Sequence, residues 1–455
     1  MTTATTDIPG AGNFARGVHP DSAKALSADM PIKPFPPPAQ VALPVLQHVG
    51  APCTPLEGMD KAKTEVSLGD VVATSDAFIS APIHASISGT TAAGSVATLP
   101  NGRHVRTIVI TAGDREQLAG EAMIDDILGG DWPTKDIHTL PPERITSAVR
   151  DAGIVGLGGA GFPTHVKLTR NDAKPIDTLL VNGCECEPYL TGDYRLMLEF
   201  PAPVIAGALL AARAAGAENV IIAVEDNKPM AVEALQRAGR GTGVKVAAVR
   251  TKYPMGGEKQ TIRAVLDRIV PTGGLPLDVG VVVVNVGTAA AIARAVLRGR
   301  PLTHRVITVS GAGIAHPRNL LAPIGISYGE LIEHCGGLTE SAVRVIAGGP
   351  MMGFALADLS TPVTKGAGGV VVLTADDLHA AEETQCLRCG ACVDACPLDL
   401  VPTKIALAAR YKDWPLARRH HMAACVECGC CAYVCPAQIP LVQLIRMGKV
   451  QMARE

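Results

Sequence analysis

Two cysteine-rich stretches, CLRCGACVDACP at residues 386–397 and CVECGCCAYVCP at residues 425–436, decide how this chain folds at its C-terminal end. Both fit the spacing C-x2-C-x2-C-x3-C-P, which is the spacing that wraps a 4Fe–4S cubane. Three thiolates on one tight loop can bind three irons of a cube, and the fourth follows on a turn that the proline marks. The spacing therefore predicts two 4Fe–4S clusters in a C-terminal domain, residues 376–455.

The fourth cysteine of each run is expected to ligate the cluster of the other run, as in two-cluster ferredoxins. The predicted ligand sets are Cys386, Cys389, Cys392 and Cys435 for one cluster, and Cys396, Cys425, Cys428 and Cys431 for the other. Cys430 falls outside the spacing and is expected to be a bystander thiol. A predicted helical segment, residues 403–419, makes the connection between the runs longer than in a minimal ferredoxin and leaves this crossing open.

Two other uses of these cysteines are disfavoured. Three cysteines at this spacing crowd a tetrahedral zinc ion. Disulfides need an oxidising compartment, and nothing in the sequence indicates one. Thiolate clusters store and pass single electrons, so the rest of the chain should contain their source or their destination.

Composition sets the broad class of the protein. The 455 residues are 47% hydrophobic but only 3% aromatic, so that Ala, Val, Leu and Gly must fill the cores of several domains. A net charge of −2 argues against a nucleic-acid-binding face. We find no apolar run of signal-peptide or membrane-span length, and therefore expect a cytoplasmic protein that is soluble or peripheral.

The N-terminal third predicts a small β domain. Residues 1–30 are expected to form a loose arm, and residues 31–135 contain β-type segments at 66–72 and 81–90, broken by Gly-Asp and Ser-Gly turns. This part resembles the barrel-sandwich folds of lipoyl and biotinyl carrier domains, which attach their cofactor to a lysine at a hairpin tip. His84, Ala85 and Ser86 stand at that place, so we expect an unmodified domain, with His48 and His84 as surface or turn histidines.

Residues 136–300 alternate between strand and helix patterns. Predicted strands cover residues 178–181, 219–224, 244–249 and 279–284, and predicted helices cover residues 142–153, 203–215, 231–237 and 289–297. This alternation predicts a mostly parallel sheet covered on both faces. Ligands of such sheets bind at the carboxyl ends of the strands, where the polar residues 182–187, 225–227 and 285–288 lie.

A glycine-rich loop, GLGGAGFP at residues 156–163, precedes the first of these strands. Its glycines let backbone N–H groups approach a phosphate at the start of a following helix. It is neither a Walker loop, because no Gly-Lys-Ser/Thr follows, nor a Rossmann fingerprint in its usual place after a strand. The loop and the three polar clusters together predict a cofactor cleft.

These residues resemble the flavin-bearing subunit of respiratory complex I, in which a similar loop cradles FMN and NADH. Residues 182–188 match its Asn-x-Asp-Glu-x-Glu-Pro with Cys184 in place of Asp, and residues 257–259 match its Gly-Glu-Glu with Lys259 in place of the second Glu. Residues 285–288 match its Asn-Val-Glu-Thr. The resemblance implies non-covalent FMN, NADH as substrate, and no residue acting as nucleophile or general acid.

The same resemblance assigns contacts to individual residues. For the FMN phosphate or the nucleotide it implies backbone approach at Gly156, Gly158, Gly159 and Gly161, with charge from Lys167. For the flavin and ribityl groups it implies hydrogen bonds from Asn182, Glu185, Glu258, Asn285 and Thr288. For NADH it implies contacts from Phe162, Glu187 and Lys259.

The whole chain after its first dozen residues resembles the C subunit of the Rnf ion-translocating electron-transport complex. The similar motifs are GVHP at 17–20, QHVGAP at 47–52, EDNKP at 225–229, TKYP at 251–254, GEKQ at 257–260 and GGPMMG at 348–353. Residues 301–375 resemble the soluble β-grasp module of that family. The expected fold is thus an α/β multidomain chain: β barrel-sandwich, FMN/NADH domain, β-grasp module and tandem 4Fe–4S domain.

The resemblance implies an NADH-linked flavin and iron–sulfur oxidoreductase. It would pass electrons between NADH and the other Rnf subunits, both integral and ferredoxin-like, from the cytoplasmic side of the membrane. Two alternatives remain: a cobalamin reductase of the propanediol-utilisation type, and a non-enzymatic iron–sulfur scaffold whose flavin loop is empty.

Overall fold

Four regions follow one another along the chain in the computed structural model, which describes residues 10–61, 63–113, 117–378 and 382–453. They are an N-terminal β region, an α/β region, a β-grasp region and a helical cysteine-rich region, in the order expected from the sequence. Residues 1–9, at the start of the predicted arm, lie outside the described part.

The N-terminal segment from residue 10 to residue 30 is not the loose arm that its composition suggested. Phe14 and Val18 are buried, and the backbone of Val18 forms an antiparallel bridge with Tyr253. The Lys24 ammonium donates a 2.8 Å hydrogen bond to the carbonyl of Glu187. Backbone and side-chain bonds to distant residues, rather than a hydrophobic pattern, fix this segment on the α/β region.

The N-terminal β region is a barrel-sandwich of two small sheets, as predicted. After β1 (Ile32–Pro34), its strands are β2 (Gln40–Pro44), β3 (Thr54–Pro55), β4 (Glu65–Val66), β5 (Val71–Thr74), β6 (Ile83–His84), β7 (Gly89–Thr98) and β8 (His104–Ala112). The two sheets have the strand orders β2–β8–β7–β4 and β3–β5–β6. All pairings within them are antiparallel.

The segment aligned with the lipoyl attachment point is buried instead of forming an exposed tip. Ser86 is buried and donates a 2.5 Å hydrogen bond to the carbonyl of Ile324 in the β-grasp region. His48 and His84, expected as surface or turn histidines, are both buried, His48 in a bend and His84 in β6. Burial lowers the pKa of His84 to about 3, which keeps the imidazole neutral.

The α/β region contains the four-stranded parallel sheet that the sequence predicted, in the order β11–β10–β9–β12. Its elements are α1 (Gly120–Ile127), α2 (Pro142–Asp151), α3 (Thr164–Leu168), β9 (Thr178–Gly183), α4 (Gly192–Glu199), α5 (Pro201–Ala215), β10 (Asn219–Glu225), α6 (Pro229–Ala238), β11 (Lys245–Val249), α7 (Glu258–Leu266), β12 (Val281–Asn285) and α8 (Val286–Arg298). The register pairs Asn182 with Asn285, so both polar strand ends meet at one edge.

Small residues allow close packing of the helices behind this sheet. A Cβ added at Gly207 of α5 would lie 1.7 Å from the carbonyl oxygen of Ala289 in α8. The two backbones touch there, so that even a methyl group would force them apart, at a cost of about 1–3 kcal/mol. Tight helix contacts of this kind let a chain with few aromatic residues fill its core.

The β-grasp region has a six-stranded sheet in the order β1–β14–β13–β17–β15–β16. Its own elements are β13 (His304–Ser310), β14 (Arg318–Pro323), α9 (Tyr328–His334), β15 (Ala342–Ala347), β16 (Phe354–Ala355) and β17 (Gly369–Thr374). Strand β1 joins this sheet by parallel pairing with β14, although the predicted boundary assigned residues 31–135 to the barrel-sandwich. The N-terminal and β-grasp regions therefore share a sheet.

The cysteine-rich region contains α10 (Ala391–Asp394), α11 (Pro402–Arg410), α12 (Trp414–Arg419), α13 (Cys430–Tyr433) and α14 (Leu441–Met452). The single predicted helix at 403–419 is two helices. The break lies at Lys412, whose φ is +56°, and at Asp413, whose carboxylate accepts from the Leu416 N–H and caps α12. Helices α11 and α14 pack closely, since a Cβ at Gly448 would lie 2.6 Å from that of Ala409.

Membrane-spanning helices were sought in the described residues. None of the single helices there combines the length and the hydropathy that a membrane span requires. Helices α4 and α5 pass by length and composition only when taken together, and they are bent by 96° at their junction.

Candidate functional site

The glycine-rich loop turns back on itself and leaves its middle open. The N–H of Gly156 donates to the carbonyl of Phe162 over 2.8 Å, and the N–H of Gly161 donates to the carbonyl of Gly156 over 3.2 Å. Gly159 has a φ of +106°, and a Cβ placed on it would meet no atom within 4 Å. The backbone around Gly159 is thus accessible to a ligand, and glycine is the residue that tolerates this conformation.

Groups from two other parts of the chain hold this loop. The N–H of Leu157 donates a 2.9 Å hydrogen bond to the hydroxyl of Thr288, and its carbonyl accepts a 3.1 Å bond from Arg305 of β13. Arg305 also donates to the carbonyl of Lys365. Burial lowers the pKa of Arg305 to about 10 and that of Lys365 to about 7. Sequence analysis missed both cations, because they lie in the β-grasp region, far along the chain.

Two asparagines stand side by side at the ends of β9 and β12. The amide of Asn182 donates to the carbonyl of Gly256 over 2.8 Å, and its oxygen accepts from the Cys184 N–H. The oxygen of Asn285 caps α8, and its NH₂ donates a 2.6 Å bond to Asp193. Both residues lie at paired strand ends, and hydrogen bonds within the chain hold their side chains.

Charged side chains line the same edge. Lys167 forms an ion pair with Glu258 and donates to the carbonyl of Val283 over 3.3 Å. Glu185 accepts from the N–H groups of Asp193 and Tyr194 at the start of α4. Burial, and after it the negative charge of Glu185, raise the pKa of Asp193 to about 7. Asp193 was absent from the predicted site, and no motif in the sequence marked it.

The structure leaves two predicted NADH contacts outside this group. Lys259 reaches the carbonyl of Pro271 over 3.2 Å on an exposed edge. The carboxylate of Glu187 accepts hydrogen bonds from the backbone of Met351 and Met352 in the β-grasp region. Phe162, which is part of the glycine-rich loop, is half-buried.

The residues that do come together fit a flavin mononucleotide. Helix α3 has only five residues, so a phosphate would be held mainly by loop N–H groups around Gly159 and by the Lys167 ammonium. The amides of Asn182 and Asn285 and the carboxylates beside them offer donors and acceptors for polar ring and ribityl groups. An open backbone cradle, one cation and a polar strand edge are what this ligand requires.

The cysteine-rich region contains a second candidate site. Four of the predicted cluster ligands line one apolar cavity: Cys396, Cys425, Cys428 and Cys431. Burial raises the pKa of Cys425 to about 11, and that of Cys431 is also raised. Nowhere in the described ranges do three His, Cys, Asp or Glu side chains converge as ligands of a single ion would. Cys430 also lines this cavity, so that five thiols surround it, and the four at ligand spacing fit a cubane.

The other four cysteines group differently. Cys392 lies close enough to Cys435 and Cys389 for their charges to influence its pKa, which burial raises. Cys386 and Cys389 are exposed, whereas Cys392 and Cys435 are buried. Each run thus sends its fourth cysteine towards the partner run, in spite of the two helices inserted between them.

Cys430 is fully buried beside Cys428. A hydrogen bond from Cys430 lowers the pKa of the Cys428 thiol, which is the main cause of that shift. The residue outside the spacing is therefore packed against a predicted ligand, although its own position in the sequence gives no sign of this contact.

The fold and the two sites define an oxidoreductase subunit that combines a flavin domain with a two-cluster iron–sulfur domain. Family models match the chain in four places: the Nuo51 FMN-binding domain at residues 149–294, the RnfC barrel sandwich hybrid domain at 12–115, the SLBB domain at 306–355 and the 4Fe-4S dicluster domain at 384–439.

Curated relatives make the assignment more specific. The C subunit of the proton-translocating ferredoxin:NAD(+) oxidoreductase complex of Clostridium ljungdahlii is 43% identical over 395 residues, which are 87% of this chain and 84% of the relative. Its counterpart in the Na(+)-translocating complex of Acetobacterium woodii is 41% identical over 96% of both chains. The corresponding subunit of the ion-translocating oxidoreductase complex of Rhodobacter capsulatus is 41% identical over 96% of this chain and 82% of its own length. The chain belongs to the family of Rnf complex C subunits.

Proposed function

We propose that this chain exchanges electrons with NADH in an Rnf-type ion-translocating complex and passes them, through FMN and two 4Fe–4S clusters, to or from partner subunits and ultimately ferredoxin. The observation that carries the proposal is the contact between the two candidate sites. Tyr253, buried between β11 and α7 of the α/β region, donates a 2.6 Å hydrogen bond to the carbonyl of Cys428. Flavin cleft and cluster cavity therefore belong to one connected unit.

Bound FMN supplies hydride exchange with NADH on one side and single-electron exchange with the clusters on the other. The chain holds the two groups in position. Arg305 and Thr288 hold the glycine-rich loop in shape. Lys167 supplies a positive charge at the cleft, and Asn182 and Asn285 orient polar ring groups. No side chain in this scheme acts as a nucleophile or a general acid.

The two clusters take the ligand sets expected from the spacing, with the fourth cysteines crossed. The cluster on Cys396, Cys425, Cys428 and Cys431 is the one next to the flavin domain. Support comes from three contacts: Tyr253 with Cys428, Gln260 with the carbonyl of Pro397 over 3.5 Å, and Gly17 with the carbonyl of Ala395 over 3.2 Å. In the other ligand set Cys386 and Cys389 are exposed, so that a cluster held there would be accessible to a partner for electron exchange.

The alternatives are less well supported. The barrel-sandwich at the N-terminus and the regular cysteine spacing favour an Rnf subunit over a cobalamin reductase. A scaffold that binds no flavin would not need the accessible backbone and positive φ that Gly159 has in the glycine-rich loop. Cobalamin reduction by NADH without association with Rnf subunits is the result that would favour the first alternative.

The subunit works as a peripheral protein on the cytoplasmic side, attached to integral Rnf subunits by protein contacts. Flotation with protein-free anionic liposomes should leave it unbound, while membranes containing the integral subunits should carry it upward. Equal binding to membranes that lack those subunits would contradict protein docking.

An anaerobic titration tests the central proposal. The purified chain should contain non-covalent FMN and about eight irons, and NADH should bleach the flavin first and the clusters after it. A protein that contains FMN and clusters but does not react with NADH would contradict the proposal.

A further inference from the structure

Glu187 lies at the meeting point of three regions. It follows β9 in the α/β region, four residues beyond the end of that strand. Its two carboxylate oxygens accept separate backbone hydrogen bonds from the β-grasp region, one from Met351 over 3.1 Å and one from Met352 over 2.9 Å. We name residues 349–352 the docking loop.

The shape of the docking loop depends on Gly349, its first residue, and on Gly353, which follows it. A Cβ added to Gly349 would lie 2.2 Å from a carboxylate oxygen of Glu187 and 2.8 Å from its Cβ. Because atoms near the base of the side chain are involved, a small rotation of the carboxylate would not relieve the overlap. The loop closes through a 2.8 Å bond from the N–H of Gly353 to the carbonyl of Gly349. Glycine at 349 is what allows Glu187 to lie against this backbone.

The opposite side of the docking loop contacts the cluster domain. A Cβ on Gly429, which separates Cys428 from Cys430, would lie 2.7 Å from the carbonyl oxygen of Met351. Arg446 of α14 donates a 2.8 Å bond to the carbonyl of Met352. The same guanidinium pairs with Glu427 over 3.2 Å. The docking loop is thus held between Glu187 on one side and the Cys425–Cys431 segment on the other.

We propose that Glu187 is a positioning residue, which fixes the docking loop and through it the separation between the flavin cleft and the cluster on Cys396, Cys425, Cys428 and Cys431. The inference rests on the proposed function, since it concerns electron transfer between those two groups. It gives a role to the motif at residues 348–353. It also differs from the expected NADH contact at Glu187, because the hydrogen bonds that the carboxylate accepts here come from the docking loop.

If Glu187 has this role, substitutions should slow electron transfer from the flavin to the clusters and leave the reduction of the flavin by NADH unchanged. Reduction of the flavin by NADH depends on the cleft, whereas reduction of the clusters by the flavin depends on the docking loop. Glu187→Gln keeps the size of the side chain but offers one acceptor instead of two. Gly349→Ala displaces Glu187 from the other side, at a residue that does not line the flavin cleft.

Stopped-flow absorbance under anaerobic conditions follows both steps in the full chain loaded with FMN and iron. In both variants, NADH should bleach the flavin at the wild-type rate, while cluster bleaching should slow about tenfold or more, since small misplacements of reacting groups have large effects on rate. Glu233→Gln, on the exposed face of α6, is the matched control and should change neither step. Dithionite-reduced EPR spectra should show both clusters present in every variant.

Three results would overturn the inference. One is slow flavin reduction by NADH in Glu187→Gln together with normal cluster reduction after photoreduction of the flavin, which would identify Glu187 as an NADH contact. Another is an unchanged cluster step in both variants. A third is loss of clusters in the EPR spectrum of Glu187→Gln, which would make the residue a requirement for cluster assembly. Failure of NADH to reduce wild-type flavin would contradict the proposed function instead, and photoreduction would still test Glu187.

Discussion

The phenol of Tyr253 donates a 2.6 Å hydrogen bond to the backbone carbonyl of Cys428, a residue 175 positions further along the chain. Tyr253 is 2% exposed, so this bond is formed away from water. It joins the carboxyl-end side of the parallel sheet to a loop that carries predicted cluster ligands. Glu187 and Gly429 meet the docking loop from its two sides, and together these contacts dock the cluster domain on the flavin domain.

Removing the Tyr253 hydroxyl should loosen that docking. In Tyr253→Phe the buried carbonyl of Cys428 loses its partner, which costs about 1–3 kcal/mol. We expect the iron–sulfur absorbance to be lost at a lower urea concentration than in the wild type. Tyr411→Phe is the control, because Tyr411 is 73% exposed and should leave the urea midpoint unchanged. Equal midpoints for Tyr253→Phe and wild type would show that the bond contributes nothing to docking.

The cysteine outside the spacing gives a direct test of the ligand sets. Cys430→Ala should keep about eight irons per chain, whereas Cys389→Ala should keep about four, since one cubane loses a ligand. Iron and acid-labile sulfide measured on anaerobically purified protein give both numbers. Because Cys430 is buried against Cys428, its replacement should alter the EPR signal of one cluster without removing it. Loss of four irons from Cys430→Ala would mean that the ligand sets are wrong.

The open position in the glycine-rich loop predicts a specific loss of flavin. Gly159→Val places a branched side chain where a phosphate must approach the backbone, at a φ of +106° that valine tolerates poorly. The variant should lose FMN and NADH oxidation while keeping its iron. Gly241→Val is a matched control, because Gly241 also has positive φ, +76°, and open space around it, but lies in the turn after α6. Flavin loss in both variants would point to general strain rather than to the site.

Local patterns predicted much of this fold. Strands β10 and β12 are continuous apolar runs that end in polar residues, so the sequence alone marks them as buried parallel strands. The cysteine spacing and the glycine-rich loop are also local patterns, and each spans no more than twelve consecutive residues. Asn182 and Asn285 could be expected at the cleft because the ends of parallel strands share one edge. Lys167, in α3, was expected there only through the resemblance to the flavin-bearing subunit.

Contacts between distant residues were not predictable in this way. Glu187 and Met351 are 164 positions apart. The hydrophobic periodicity of the sequence does not indicate which backbone N–H a distant carboxylate will contact. The same limit applies to residues 10–30, whose composition predicts a loose arm although Phe14 and Val18 are buried, and to His84, which is buried in β6. The family pattern implied an NADH contact for Glu187, but the backbone N–H groups of Met351 and Met352 donate to its carboxylate.

The buried contacts of Lys365, which also join distant parts of the chain, can be tested by the pH dependence of the free energy of unfolding. Its side chain is buried, and its ammonium donates to the carbonyls of Pro82 and Gly153 over 2.6 and 2.7 Å. These carbonyls belong to the N-terminal β region and to the segment just before the glycine-rich loop. Burial lowers the pKa of Lys365 from 10.5 to about 7. Between these two values the unfolded chain binds a proton at this position and the folded chain does not.

Stability from this group must therefore rise with pH above 7. The unfolded state binds more protons in this window, so the free energy of unfolding increases with pH, by at most about 1.4 kcal/mol per pH unit for one site. Lys365→Met lacks the proton and should lack this slope. We expect the difference in unfolding free energy between wild type and Lys365→Met to grow in favour of wild type from pH 7 to pH 9 in urea titrations. The two lost hydrogen bonds add a constant offset that does not depend on pH.

Lys245→Met, at an exposed position in β11, should show a constant difference over the same range. A difference between wild type and Lys365→Met that stays flat over this range would mean that Lys365 keeps its proton in the folded protein.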